Sequence, residues 1–208
     1  MLEDLALNDP EIAHDLGDRL IDGPGLGTDV EAGLRWMRRA ADEGYAPAFT
    51  YLGVLHWYGR YVDHDRTQAL DYYRHASELG ESYATGNLGF ALIEGDGIER
   101  DDERGFEFIE RAGVMGNANA ALWFAQCLLS GNQEGLARDE ARAVLVLEKC
   151  VAEDEDGDAL FLLAELVRDG RGTSKDPERA LELFMLAALN GRDTRVEEAT
   201  LRRLLRAE

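Results

Sequence analysis

Residues 48–80 read AFTYLGVLHWYGRYVDHDRTQALDYYRHASELG, and the spacing of their small, apolar and capping residues decides the fold. Asp65 stands where a helix N-cap is needed, because an aspartate oxygen accepts bonds from free backbone N–H groups. Gly80 suits the left-handed position that follows the end of a helix. The stretch therefore predicts two helices, at about residues 48–58 and 65–79.

The same pattern recurs along the chain with a period of about 36 residues, which is typical of helical solenoids. The aspartates of the pattern are Asp29, Asp65, Asp101, Asp139 and Asp176. The closing glycines are Gly44, Gly80, Gly116 and Gly191. Five repeats are predicted, at residues 12–47, 48–83, 84–119, 120–158 and 159–194, followed by a capping helix at 195–208.

The second helix of each repeat has its own periodicity. A small residue follows the aspartate by four positions, at Gly33, Ala69, Gly105, Ala143 and Ala180. A larger apolar or aromatic residue comes three positions later, at Trp36, Tyr72, Phe108, Val146 and Leu183. Another small or apolar residue comes after four more, so the spacing is that of one helix face. Small residues beside large ones let neighbouring helices interlock.

This pattern resembles the Sel-one-like (Sel1-like) repeat, a short relative of the tetratricopeptide class. The resemblance covers about residues 12–191 and implies an all-α fold. It implies a single right-handed α-solenoid superhelix, residues 1–208, built of helix–turn–helix repeats. The fourth repeat departs most, because Phe124-Ala125 replaces the Leu-Gly pair and its loop is longer.

The end of the chain predicts a terminal amphipathic helix at about residues 195–206. Val196, Ala199, Leu204 and Leu205 form its expected apolar side, and arginines lie opposite. Such a helix would cover the last repeat as a cap.

Composition narrows the function. The formal net charge is −20, from 22 Lys+Arg against 42 Asp+Glu. Such a surface repels phosphate backbones and anionic membranes, so no nucleic-acid or membrane partner is expected. No apolar run approaches the length of a membrane helix, and the first residues do not resemble a signal peptide. A cytoplasmic location is predicted.

No catalytic, cofactor or metal site is predicted. His56 occupies a packing position of its repeat and is expected to be a hydrogen-bonded packing residue. Cys127 and Cys150 lack metal-ligand or redox spacing and are expected to be buried thiols. Asp154 opens a run of alternating aspartates that superficially resembles a calcium loop, but the glycine such a loop needs is replaced by Ala159.

The resemblance to the tetratricopeptide class implies a concave face formed by the first helix of each repeat. Alignment on the Leu-Gly pair gives the candidate partner-binding residues. They are Thr50, Val54, Trp57, Tyr58, Phe90, Ile93, Glu94, Leu122, Gln126, Phe161 and Glu165. Trp57, Tyr58 and Phe90 are the expected anchors, with carboxylates that attract a basic partner. The alternative is that these aromatic residues pack against neighbouring repeats.

Three functions remain open at this stage. The first is a non-catalytic adaptor that binds a protein or peptide partner on its concave face, where the acidic residues favour a basic partner. The second is an acidic inhibitor or immunity-type protein that binds a basic enzyme or toxin. The third, suggested by some secreted relatives, is a hydrolase of cell-wall or β-lactam type. The oligomeric state is not predicted.

Overall fold

The computed structural model describes residues 5–23 and 28–205, except the side chain of Leu204. Within them the chain forms eleven α-helices and no strand. The helices are α1 (Pro10–Ile21), α2 (Val30–Asp42), α3 (Ala46–Tyr58), α4 (Arg66–Glu78), α5 (Ser82–Glu94), α6 (Asp102–Val114), α7 (Ala118–Ser130), α8 (Glu140–Glu153), α9 (Gly157–Asp169), α10 (Pro177–Leu189) and α11 (Arg195–Leu205). The predicted all-α repeat fold is confirmed. None of the described helices is long and apolar enough to cross a membrane.

The helices are grouped into two compact units, residues 1–100 (unit 1) and 101–208 (unit 2). In unit 1, α1 packs on α2, α2 on α3, α3 on α4 and α4 on α5. In unit 2, α7 packs on both α6 and α8, α9 packs on α10, and α11 packs on α10. The boundary between the units falls within the predicted third repeat, between α5 and α6. The organisation into five repeats of one domain stays a prediction.

Helix ends form where the sequence predicts them. Each of the five aspartates is the N-cap of a second helix, and its Oδ1 accepts the N–H of the residue three positions on, at 2.9–3.1 Å. The four closing glycines have φ between 87° and 92°. The short loops therefore start and stop helices through bonds that are entirely local.

In the first three repeats the core differs from the predicted packing pattern by one position, whereas Val146 and Leu183 in the last two repeats are buried as predicted. The most deeply buried large residues lie four positions after the small residue, at Met37, Tyr73, Ile109, Leu147 and Phe184, which are at most 2% exposed. One position earlier, Trp36, Tyr72 and Phe108 are only partly buried. A helix places residues i and i+4 on one face as readily as i and i+3, so spacing alone does not distinguish these two positions.

The predicted apolar side of the terminal helix is wrong at Val196 and Ala199, while Leu205 is partly buried. Val196 is 74% exposed, whereas Leu201 is 1% exposed and anchors α11. Thr194, which is buried, donates from Oγ1 to Oε1 of Glu198 at 2.6 Å, so the inward face runs through positions 194, 198 and 201. Ala199 is also exposed. The Leu204 side chain, Arg206 and the glycine-rich turn at residues 24–27 lie outside the described residues.

Candidate functional site

All eleven candidate partner-binding residues lie on the first helices α3, α5, α7 and α9, and none is buried. Tyr58 is the most open of the large ones, with 73% of its surface exposed. Nine of the eleven line one of two cavities, one in each unit. The two others, Thr50 and Ile93, line neither of them.

The cavity of unit 1 is walled mainly by aromatic rings, and we call it the aromatic cavity. It has a volume of about 230 Å³. Its lining residues are Val54, Trp57, Tyr58, Tyr73, Asn87, Phe90 and Glu94. Five of these were predicted from the sequence, whereas Tyr73 and Asn87 were not. The structure thus brings the three predicted anchors, Trp57, Tyr58 and Phe90, to one cavity.

Tyr73 reaches this cavity because Gly53 leaves room for its ring. A Cβ atom at Gly53 would lie 2.5 Å from Cε1 of Tyr73, so any larger residue would displace the ring. Burial raises the pKa of the Tyr73 hydroxyl, while its hydrogen bond with the Asn87 side chain opposes that shift. The lining of the cavity therefore includes a neutral phenol and an amide.

Trp57 is in contact with a cation of the protein itself. The guanidinium carbon of Arg66 lies 3.9 Å from the centre of a Trp57 ring, and Arg66 Nη2 is 3.0 Å from Oδ2 of Asp96. Trp57 also packs at a tilt on Tyr73, with 6.0 Å between ring centres. The sequence left open whether Trp57 contacts a partner or packs against its neighbours. The two roles are compatible, because Trp57 packs against α4 and also lines the cavity.

Thr50 has an interaction that is structural. Its hydroxyl donates to Oε2 of Glu81 at 2.7 Å, and the carboxylate of Glu81 caps the N-terminus of α5 by accepting from the N–H groups of Tyr83 and Ala84. Thr50 therefore joins α3 to the start of α5. Its role as a partner contact stays a prediction, as does that of Ile93.

The cavity of unit 2 lies between α7 and α9 and has a volume of about 330 Å³. Its lining residues are Leu122, Gln126, Asp158, Phe161, Leu162, Glu165 and Arg192. The Arg192 guanidinium carbon lies 4.7 Å from the centre of the Phe161 ring, and its Nη1 is 2.8 Å from Oδ1 of Asp158. Phe161 also meets Phe184 edge-on, with 5.3 Å between ring centres. This cavity already contains a cation of its own.

Arg192 was missed by the sequence analysis, although a signal exists. It directly follows the closing Gly191, in the slot that Glu81 and Asn117 occupy after Gly80 and Gly116. Glu81 and Asn117 cap the next helix there. An arginine cannot cap a helix N-terminus, because its side chain offers only donors, so its presence in this slot marks a different role.

The two cavities lie toward opposite ends of their helices. Trp57 and Tyr58 are the last residues of α3, and Glu94 is the last residue of α5. The carboxyl end of a helix carries partial negative charge and favours cations. Asp158, by contrast, lies in the first turn of α9, which favours anions. The position of each cavity therefore gives it a different electrostatic preference.

Other candidate residues have structural roles. His56 is buried, its Nδ1 lies 3.1 Å from the carbonyl oxygen of Asp63, and its ring stacks on Tyr72, as predicted. Cys127 and Cys150 are free and buried, and burial raises the pKa of the Cys150 thiol to about 11. Asp156, in the acidic run, is the N-cap of α9. Among the described residues, no group of three or more His, Cys, Asp or Glu side chains could hold a metal ion.

Solved structures with the same fold include two informative ones. A Sel1 repeat protein from Oxalobacter formigenes is 26% identical, with a TM-score of 0.71 over 89% of this chain and 75% of that chain. The immunity protein Pa5087 from Pseudomonas aeruginosa is 15% identical, with a TM-score of 0.62 over 90% of this chain and 71% of that chain. The second likeness is one of fold alone.

The family model of the Sel1 repeat matches four stretches of the chain, residues 10–45, 48–81, 82–117 and 157–191. They coincide with four of the five predicted repeats. The stretch between 117 and 157, which departs most from the pattern, is not matched. Because the matched stretches make up well over half of the sequence, the chain belongs to the Sel1 repeat family.

Proposed function

We propose that this protein is a non-catalytic interaction module that binds a protein partner through the first helices of its repeats. Sel1 repeats generally serve as scaffolds for protein–protein interaction. The observation that carries the proposal is the aromatic cavity, where five of the predicted contact residues meet in one concave site. Exposed aromatic side chains in a concave surface are typical anchors of protein interfaces.

The charge of the protein favours a basic segment as the partner. The formal net charge is −20, and Glu94 stands in the cavity lining. Complementary charge speeds association and selects among partners more than it adds affinity. We therefore assign the aromatic rings to affinity and the carboxylates to selection.

The test is capture of partners from the native host at two salt concentrations, with the full chain as bait. Tyr58→Ala and Phe90→Ala should each weaken the captured complex by about tenfold or more, as anchor residues do. Tyr83→Ala is the matched control, because Tyr83 is 50% exposed on α5 but does not line the cavity. Partner affinity that survives both substitutions in a folded protein would refute the assignment.

A second candidate function is that of an acidic inhibitor or immunity-type protein. The observation that favours it is the net charge of −20, which would complement a basic enzyme or toxin. The shared fold with an immunity protein makes the comparison natural. The capture experiment separates the two functions, since this one requires that the captured partner is an enzyme or toxin and that binding abolishes its activity.

A further inference from the structure

We propose that the aromatic cavity of unit 1 accepts one basic side chain of the partner, an arginine or a lysine. This inference rests on the proposed function and names the chemistry of the group that enters the site. Three observations carry it: the shape of the cavity, the charges around it, and the guanidinium that one of its walls already binds.

The shape suits a single long side chain. The cavity volume is about 230 Å³. This is several times the volume of about 30 Å³ that a water molecule occupies in the liquid, so one long side chain has room to enter. Trp57, Tyr58, Tyr73 and Phe90 contribute ring surfaces to the lining. Aromatic faces attract cations through their quadrupole, and several rings around one cavity are a known way of binding an ammonium group.

The charges around the cavity favour a cation. Glu94 is the charged residue of the lining, and the carboxyl ends of α3 and α5 lie beside it. The nearest cation with a described contact to the lining is Arg66, whose charge is paired with Asp96 at 3.0 Å. A basic side chain would therefore meet one carboxylate and two helix ends of favourable sign.

Trp57 demonstrates the interaction within the protein itself. The guanidinium of Arg66 lies 3.9 Å from the centre of a Trp57 ring. The electron-rich indole thus already binds one arginine, while the same residue lines the cavity. The ion pair and the ring contact of Arg66 fix Trp57 in place, so the cavity wall is formed before a partner arrives.

An apolar side chain is the competing occupant. It would cover the carboxylate of Glu94, the Tyr73 hydroxyl and the Asn87 amide without replacing their hydration, which costs free energy. The cavity of unit 2 differs, because Arg192, whose guanidinium covers Phe161, itself lines that cavity, whereas Arg66 is not among the residues that line the aromatic cavity. We therefore limit the inference to unit 1.

The experiment uses the full, ¹⁵N-labelled chain and follows the indole N–H signal of Trp57 by NMR. That signal is identified by its loss in Trp57→Phe. The probes are three blocked tripeptides of the form glycine–X–glycine, where X is arginine, its neutral isostere citrulline, or the apolar norleucine. We expect saturable shifts with the arginine peptide and at least about fivefold weaker binding of the citrulline peptide, the ratio that a modest cation–π contact supplies.

The charge is tested with Glu94→Gln, which should weaken binding of the arginine peptide severalfold and leave the citrulline peptide unchanged. Glu78→Gln is the control with the same change in net charge, since Glu78 is exposed and does not line the cavity. The inference is overturned if citrulline or norleucine binds as tightly as arginine, or if arginine produces no saturable shift of Trp57.

Failure of this inference and failure of the proposed function give different results. If the norleucine peptide binds at Trp57 more tightly than the arginine peptide, the assignment of a basic side chain to the cavity is refuted, but the cavity remains an interaction site. If the Tyr58→Ala and Phe90→Ala variants capture the partner as well as the unchanged protein does, the proposed function is refuted, whatever the tripeptides show.

Discussion

The loop between α3 and α4 in unit 1 and the loop between α9 and α10 in unit 2 hold different residues at one equivalent position of left-handed backbone. In unit 1, between α3 and α4, that position is Tyr61, which adopts φ 64° although it is not glycine. In unit 2, between α9 and α10, it is Gly172 with φ 71°. A bulky residue in the left-handed region is strained. The same left-handed backbone is thus achieved with strain in the loop between α3 and α4 and by glycine in the loop between α9 and α10, as it also is at Gly97 in unit 1, with φ 72°.

The strain at Tyr61 is offset by contacts that glycine could not make. Its hydroxyl donates to Oδ1 of Asp22 at 2.7 Å, and Arg60 lies over its ring at 5.0 Å while donating to the same Asp22 oxygen at 2.9 Å. These bonds join the loop to the end of α1. At Gly172 a Cβ atom would lie 2.1 Å from the carbonyl oxygen of Glu140. The loop of unit 2 therefore combines a close backbone approach with hydrogen bonds from Arg171 to Oε1 of Glu140, at 3.1 and 2.9 Å, whereas the loop of unit 1 relies on the side chains of Arg60 and Tyr61.

The largest effect should come from Gly172→Ala. The new Cβ combines left-handed strain with a collision against the Glu140 carbonyl, so we expect a loss of about 3 kcal/mol in the free energy of unfolding. The measurement is urea denaturation. Gly44→Ala separates the two causes, because Gly44 has φ 87° with no atom within 4 Å of its Cβ position, and should cost only about 1 kcal/mol.

Tyr61→Gly is the opposite change in unit 1. It relieves strain while it removes the bond to Asp22, so its net cost should be below about 1 kcal/mol. If Gly172→Ala were as mild as Tyr61→Gly, the close approach at Glu140 would not control the loop of unit 2.

A second difference concerns the second helices. In unit 2, Arg142 on α8 donates two hydrogen bonds to Glu110 on α6, at 2.7 and 2.6 Å. One repeat later, Arg179 on α10 donates to Glu148 on α8 at 2.6 Å. In unit 1 the equivalent slots hold Gln68 and Arg38, which cannot form an ion pair and instead line an open cavity of about 700 Å³.

Glu110→Ala should therefore weaken unit 2 by about 1 kcal/mol, the upper range for a partly exposed but bidentate pair. A double-mutant cycle with Arg142→Ala, measured by denaturation, gives the coupling energy between the two side chains. A coupling energy near zero would mean that the pair does not contribute to stability. The reciprocal change, Arg38→Glu with Gln68→Arg, should stabilise unit 1 by about 0.5 kcal/mol. Arg38→Glu alone and Gln68→Arg alone should not stabilise unit 1.

Sequence reasoning recovered the helix ends almost completely, because each depends on residues that are close in the chain. The carboxylate of Asp65 bonds to the N–H of Gln68 three residues away, whatever the rest of the fold does. Leu201 could not be identified in the same way. It is buried because of how α11 lies on α10, and several apolar residues of α11 could have filled that place.

The candidate site was recovered in part for the same reason. Positions on the first helix follow from the repeat register, so Trp57, Tyr58 and Phe90 could be named in advance. Tyr73 comes from a second helix and enters the cavity only because Gly53 lacks a side chain. Arg192 reaches Phe161 from the loop before α11. Contacts between elements depend on distances that no single-repeat pattern contains.

The smallest expected effect is the acid sensitivity that arginine pairing gives to unit 2. The guanidinium of Arg168, hydrogen-bonded to Asp169, holds the pKa of that carboxyl below its usual range, and Arg195 lowers the pKa of Asp193 to about 2. A carboxyl whose pKa is lower in the folded state contributes stability above its unfolded pKa, about 3.9. That contribution is lost as the pH falls through the folded pKa, so it disappears between about pH 4 and pH 2.

Both carboxylates are exposed, so the contribution is small and should fade at high salt. Backbone NMR signals of the full chain, followed from pH 7 to pH 2, report on each unit separately. Asp169→Asn removes one of the titrating groups, so the signals of unit 2 should then depend less on pH below about 4, while those of unit 1 keep their profile. An unchanged acid profile of unit 2 in this variant would show that the contact between Arg168 and Asp169 contributes no measurable stability.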